Sequence, residues 1–145
     1  MVQINWKKLD VPQRNAVVAE HVAGWRVKEC DGEIGEQPIS PDGWFCQKCG
    51  HTGYWGDDSL HDERPPSYTT SIDVAFTLLP AVCEDHPGCS LFITTAATGG
   101  AYVAFGTGLS DLIARQGVYV DGARHAVAEA VCIVFLRVMG IVVLL

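Results

Sequence analysis

The chain has 145 residues, 48% hydrophobic and 19% charged, with 15 glycines and 7 prolines, enough for one buried core and little more. That apolar share excludes an intrinsically disordered chain, and glycines and prolines so scattered exclude a fibrous one. A formal charge of -7 with ten Lys and Arg argues against a module that grips nucleic acid polymers by their phosphates.

The amino end, MVQINWKKLD, lacks the apolar stretch of a secretory signal, so a cytoplasmic protein with free thiols is expected. Asp10, Pro12 and Gln13 then predict a helix start: Asp10 caps, Pro12 suits the first turn, and Gln13 stands three residues on, as in a capping box. Val18, Val22 and Trp25 repeat at helical spacing, and Gly24 marks the stop. A short strand is expected over Trp25 to Cys30. From Asp31 to Pro66 the chain is rich in Gly, Pro, Asp and Ser and shows neither helical nor strand period. The reading is an irregular insert, 31–66, within a single domain spanning 1–145. A structureless loop of that length needs something other than a hydrophobic core to order it, and a metal would do so.

Cys46-Gln47-Lys48-Cys49-Gly50 supplies the start of such a site. Two residues between thiolates let one turn present both sulfurs to a tetrahedral ion, and the glycine admits the backbone angles by which amides approach sulfur. A redox pair belongs at a helix start after a strand, whereas this pair sits in a glycine-rich loop, so zinc is the expected cofactor. Cys30 at the entrance of the insert and His61 near its exit are the expected third and fourth ligands, with His51 ranked below His61. Cys83, His86 and Cys89 offer a second candidate cluster, read as packing and a solvated turn, and Cys132 as packing. Trp44, Phe45, Tyr54 and Trp55 crowd the insert, either covering the ion or forming a stacking platform. The acidic run from Asp57 to Glu63 reads as a solvated loop.

A second helix is expected from a Thr70 cap, with a core stripe of Ile72, Ala75, Phe76 and Leu79 and an end or kink at Pro80. Leu91 to Thr95 and Tyr102 to Phe105 are β-branched and aromatic runs that predict an antiparallel hairpin, and Val118 to Val120 a further strand. Val127, Val131, Val134, Phe135 and Val138 line one face of a last helix that Gly140 ends. Glu129 and Arg137 keep it short of the ~18 uninterrupted apolar residues of a membrane span, so no membrane partner is expected. Residues Ile141 to Leu145 suit an edge strand through which copies would associate into a homo-oligomer. Helices around a hairpin define an α+β fold, read as a helix–sheet–helix sandwich carrying an irregular zinc-knuckle insert.

The signatures of nucleotide hydrolases, serine esterases and zinc proteases are absent, and no catalytic residue is assigned. Gly99, Gly100, Gly106 and Gly108 are candidates for holding a small anionic ligand through backbone amides, with Tyr54 or Trp55 stacking on a base.

The blocks Val18-Ala19-Glu20-His21-Val22-Ala23-Gly24-Trp25, Pro41-Asp42-Gly43, Pro65-Pro66-Ser67-Tyr68-Thr69-Thr70-Ser71-Ile72-Asp73 and Ala126-Val127-Ala128-Glu129-Ala130-Val131-Cys132 resemble the phage ABA sandwich domain family. The resemblance spans about Asn15 to Met139. It implies helix–sheet–helix layering, a Pro-Pro stretch leading into the second helix, and a small phage or prophage protein acting in the host cell. With that resemblance, the first functional expectation is a non-enzymatic binder, for instance one sequestering a host immune signalling nucleotide in an anti-defence role. The alternative is a zinc-stabilised module contacting a host or phage protein, and a zinc hydrolase ranks last because cysteine-rich ligation leaves no open position.

Overall fold

A computed structural model describes residues 2–56, 60–95, 100–119 and 124–145. The chain forms two compact units, Met1–Trp25 with Pro66–Leu145, and Arg26–Pro65.

The first unit opens with β1 (Gln3–Asn5), which pairs in parallel with β8 (Val142–Leu144), Ile4 opposite Val143. After a 3-10 turn over Trp6–Lys8 comes α1 (Val11–Val18), which has the expected capping box. The Asp10 Oδ1 accepts from the Gln13 amide at 2.8 Å, and the Gln13 Oε1 accepts from the Asp10 amide at 3.0 Å. The helix runs on as one π-type turn over Ala19–Ala23 and stops at Gly24, as predicted. No strand follows. The expected Trp25–Cys30 strand reduces to a single bridge, Glu29 opposite Asp62.

The second helix is two short ones, α2 (Ile72–Phe76) and α3 (Leu79–Glu84). Ser71, rather than Thr70, is the cap: its backbone is extended, with φ -128° and ψ 119°, and its Oγ accepts from the Val74 amide at 3.4 Å. The break precedes Pro80, which sits in the first turn of α3, where its missing N–H costs nothing.

The expected hairpin is present as β5 (Ser90–Thr95) and β6 (Gly100–Gly108), with Ile93 opposite Val103, and β7 (Asp111–Tyr119) extends it to three antiparallel strands. This third strand begins well before the expected Val118, and Val120 lies outside the described residues. Against the sheet lies α4 (Arg124–Val138). It packs on β6 and β7 and also on α2 and the N-terminal helical segment, so the α+β class holds, but α4 rather than the sheet is the middle layer, in place of the expected helix–sheet–helix order. Burial therefore runs without interruption from Ala130 to Leu136, where the sequence suggested a single stripe. Phe135 meets Phe105 edge to face at 6.4 Å, and His86 meets Phe105 the same way at 6.1 Å. The Cys132 thiol donates to the Tyr68 carbonyl at 3.2 Å, and burial followed by the charge of Glu129 pushes its pKa up, as befits an inert packing thiol. Among the described residues no helix is long and apolar enough to cross a membrane.

Glu129 joins α4 to the N-terminus. Its Oε1 accepts from Trp6 Nε1 at 2.6 Å and from Arg14 Nη1 at 3.1 Å, while Arg14 also donates to the Trp6 carbonyl and lies over the indole at 5.2 Å. Replacing Glu129 with Ala strands the buried indole N–H, and urea denaturation should show a loss of about 1–2 kcal/mol. Glu129→Gln keeps an acceptor and should lose less.

Candidate metal centre

The unit Arg26–Pro65 is built on a three-stranded antiparallel sheet, β2 (Ile34–Glu36), β3 (Gly43–Cys46) and β4 (Thr52–Tyr54), in the order β2-β3-β4. This corrects the expectation of a wholly irregular insert. The strands are three or four residues long and carry Gly35, Gly43 and Gly53, too short and too glycine-rich to display a period of two.

The knuckle joins β3 to β4. Cys46 ends β3, the Gly50 amide donates back to the Cys46 carbonyl at 2.9 Å, and the Cys46 amide donates to the His51 carbonyl at 2.8 Å. Gly50 has φ 76°, which a side chain would resist, so the glycine in the motif is a backbone requirement. The other two residues arrive on a second pair of segments. The Cys30 amide donates to the His61 carbonyl at 2.7 Å and the Glu63 amide to the Lys28 carbonyl at 2.7 Å, which sets Cys30 and His61 side by side. The Gln47 amide donates to the Glu33 carbonyl at 2.9 Å and holds this limb to the knuckle.

The result gathers Cys30, Cys46, Cys49 and His61 with ligand atoms all within 4.8 Å of one another. Cys30 and Cys46 sulfurs lie 3.7 Å apart. Zinc–sulfur bonds of about 2.3 Å in a tetrahedron put two sulfurs about 3.8 Å apart, so the donor set fits such an ion. None of the cysteines is in a disulfide. Backbone amides of Cys49 and then Lys48, helped by the His61 side chain, outweigh burial and bring the Cys46 thiol down to about 6. At Cys30 the Gly32 amide favours the thiolate, but burial and the sulfurs of Cys46 and Cys49 prevail and push its pKa up. A cation placed among these sulfurs would relieve that mutual repulsion.

His51 does not join the group. Its ring stacks on that of His61, with centroids 5.1 Å apart and planes 8° from parallel. Trp44 shares a strand face with Cys46 and lies 5.3 Å from the His61 ring and 6.0 Å from that of His51. Its indole is buried, and Nε1 has no hydrogen-bond partner among the described residues. The aromatic crowd therefore divides: Trp44 covers the ligands, whereas Tyr54 is 68% and Trp55 48% exposed.

Two further glycines, Gly32 and Gly53, shape the site. A Cβ on Gly32 would stand 2.5 Å from Cys46 Sγ and 2.6 Å from Lys48 Cβ, and one on Gly53 would stand 2.6 Å from the Trp44 ring. The available signal was the spacing Cys30-Asp31-Gly32, a second cysteine shortly followed by glycine. Gly32→Ala should displace the Cys46 sulfur and weaken metal retention by about tenfold or more, on the precedent of changes beside metal ligands, as read by competition with a colorimetric chelator. Gly50→Ala, which strains the backbone without touching sulfur, should weaken it less.

Cys83, His86 and Cys89 form no ligand group among the described residues; Cys83 is half-buried against the core and His86 is set against Phe105. Gly99 and the acidic residues Asp57 and Asp58 lie outside the described residues. Gly100 opens β6. Gly106 and Gly108 lie within β6 rather than in a turn, and an added Cβ on Gly106 would meet the Asp111 carbonyl at 2.2 Å. The Thr107 hydroxyl donates to the Asp111 carboxylate at 2.9 Å. Where the sequence reading expected an amide cradle for an anion, this segment is a strand bulge with a carboxylate beside it.

No protein-family model, curated protein or solved structure matches the chain.

Proposed function

We propose that Arg26–Pro65 is a structural zinc module through which the protein binds a protein partner, and that the chain does no chemistry of its own at this site. The observation that carries the reading is the completed set of Cys30, Cys46, Cys49 and His61: three thiols and an imidazole fill a tetrahedron, whereas a catalytic zinc keeps a position for water or substrate. Thiolates with one imidazole favour zinc over calcium or magnesium, which take oxygen. The block resemblance to the phage ABA sandwich domain family supports a phage or prophage accessory protein working in the cytoplasm of the host.

Elemental analysis with native mass spectrometry tests the metal. One zinc per chain is expected, and a metal-free protein with the same melting temperature in chelator would sink the reading.

A second reading places a small anionic ligand, such as a signalling nucleotide, on Tyr54 and Trp55, whose exposure suits base stacking. No Lys or Arg stands between Lys48 and Arg64 to hold a phosphate, and so the protein-partner reading is preferred. Thermal-shift screening with linear and cyclic nucleotides should be silent; stabilisation that rises with ligand concentration, with the nucleotide recovered intact, would reverse the preference.

A further inference from the structure

The three-stranded sheet has two unlike ends. Ile34, Cys46 and Thr52 stand at the metal end, and Glu36, Gly43 and Tyr54 at the other, since Cys46 pairs with Ile34 and Gly43 with Tyr54. At a rise of about 3.3 Å per residue, the far end of β3 is roughly 10 Å from the metal ligand Cys46. There the Trp55 amide donates to the Asp42 carbonyl at 3.0 Å, which brings the β2–β3 connection alongside the exit of β4. Ile39, in that connection, is 97% exposed, and Tyr54 and Trp55, at the end and exit of β4, are exposed as well. Burying a side chain of this kind would contribute binding energy, and three at one end of so small a sheet are more than the scattered apolar exposure of an ordinary surface.

The unit that carries them is predominantly acidic. Arg26–Pro65 carries nine acidic and four basic residues. Glu36 and Asp42 are exposed at the far end. The only Lys or Arg between Lys28 and Arg64 is Lys48, which belongs to the knuckle at the metal end and is paired there with Asp31.

We propose that this far end is a docking surface for an arginine- or lysine-rich segment of a partner protein. Such a segment matches both features. Its cations pair with Asp42, whose carbonyl takes the Trp55 amide, and stack on the faces of Trp55 and Tyr54, and its aliphatic stems cover Ile39. Arginine suits the surface better than lysine, because its planar, weakly hydrated guanidinium stacks on aromatics while still pairing with carboxylates. The inference rests on the reading of Arg26–Pro65 as a zinc-ordered interaction module and supplies the chemistry of its partner.

The test uses the full chain loaded with zinc and three labelled peptides of one design, arginine and leucine alternating, then the same peptide with glutamine or with glutamate in place of arginine. Fluorescence anisotropy should show binding of the arginine peptide, with the glutamate peptide not binding. Trp55→Ala and Ile39→Ser should each weaken that binding by about tenfold, the size of effect expected at an anchoring residue. Asp42→Asn should weaken it and flatten its dependence on salt, whereas Glu36→Gln, on the Trp44 face of the sheet, should change it less. Ile39 is solvated on all sides, so its variant keeps the folding question out of the result. Equal binding of all three peptides, or unchanged binding by both Trp55→Ala and Ile39→Ser, overturns the proposal. Zinc at one per chain with no peptide bound overturns the docking surface alone, whereas protein without zinc overturns the metal reading on which it stands.

Discussion

With the proposed zinc bound, a chelator should melt the Arg26–Pro65 unit while the other unit keeps its fold. The expectation follows from where the apolar side chains are. Among the described residues, the continuous core draws its buried members from Ile4 to Val22 and from Tyr68 to Val143, and none from Arg26–Pro65. That unit buries Trp44 and Cys46 but little else that is large and apolar. Its length is in the range where chains need a metal, disulfides or a partner to stay folded. Structural zinc in small domains binds with an apparent free energy on the order of 10 kcal/mol, and that energy is then folding energy. Limited proteolysis in a strong chelator should accordingly open new cleavage sites within 26–65 and leave the flanking segments protected. Cys46→Ala or Cys49→Ala should give the same pattern without chelator, and His51→Ala, which removes a stacked ring and no ligand, should not. Cleavage spread evenly over the whole chain would contradict it.

Acid should act in the same direction. The Cys46 thiol is held at about 6 against an ordinary value of 9.0, so the folded unit binds fewer protons there than the unfolded chain between those values. The contribution of Cys46 is therefore complete above pH 9 and is lost as the pH falls through 6. The raised Cys30 thiol contributes with the opposite sign in the absence of metal. A bound zinc must displace protons from both, so metal retention should fall steeply on acidification, measurable as zinc released to an indicator dye.

The second large effect is expected in the core of the other unit. Phe135 is fully buried, lies in the all-round buried part of α4, and packs edge to face on Phe105 of the central strand. Phe135→Ala leaves a cavity in the core beside Phe105, and should cost about 3–5 kcal/mol. That is a large part of the 5–15 kcal/mol on which a domain of this kind ordinarily stands, roughly. Denaturation followed by far-UV circular dichroism should show a much lower midpoint with similar slope. Phe135→Leu, which fills most of the space, should lose about 1.5 kcal/mol or less. A Phe135→Ala protein as stable as the parent would mean that Phe135 is not packed against the sheet.

The local features were readable because their causes are local. Asp10 and Gln13 cap each other across three residues, Cys46 and Cys49 share one turn with Gly50, and the β-branched runs around Ile93 and Val103 declare a strand by their own composition. Loop closure was enough to select Cys30 and His61 as companions of the knuckle, since a coreless segment needs its two ends joined. The missed features depend on neighbours distant in sequence. Nothing near Gln3 or Val142 announces that they pair in parallel, because each partner supplies half of the ladder. The strands of the insert are shorter than any period that would reveal them. Gly32 looks like any loop glycine until the Cys46 sulfur is placed against it. Trp44 and Tyr54 are alike as residue types, yet one faces the ligands and the other solvent, because strand register assigns them to opposite faces of a small sheet. Composition and spacing determined the longer elements and the kind of donor; the short strands and which side chains meet were decided by the tertiary structure, because ladders, burial and close approach belong to pairs of segments.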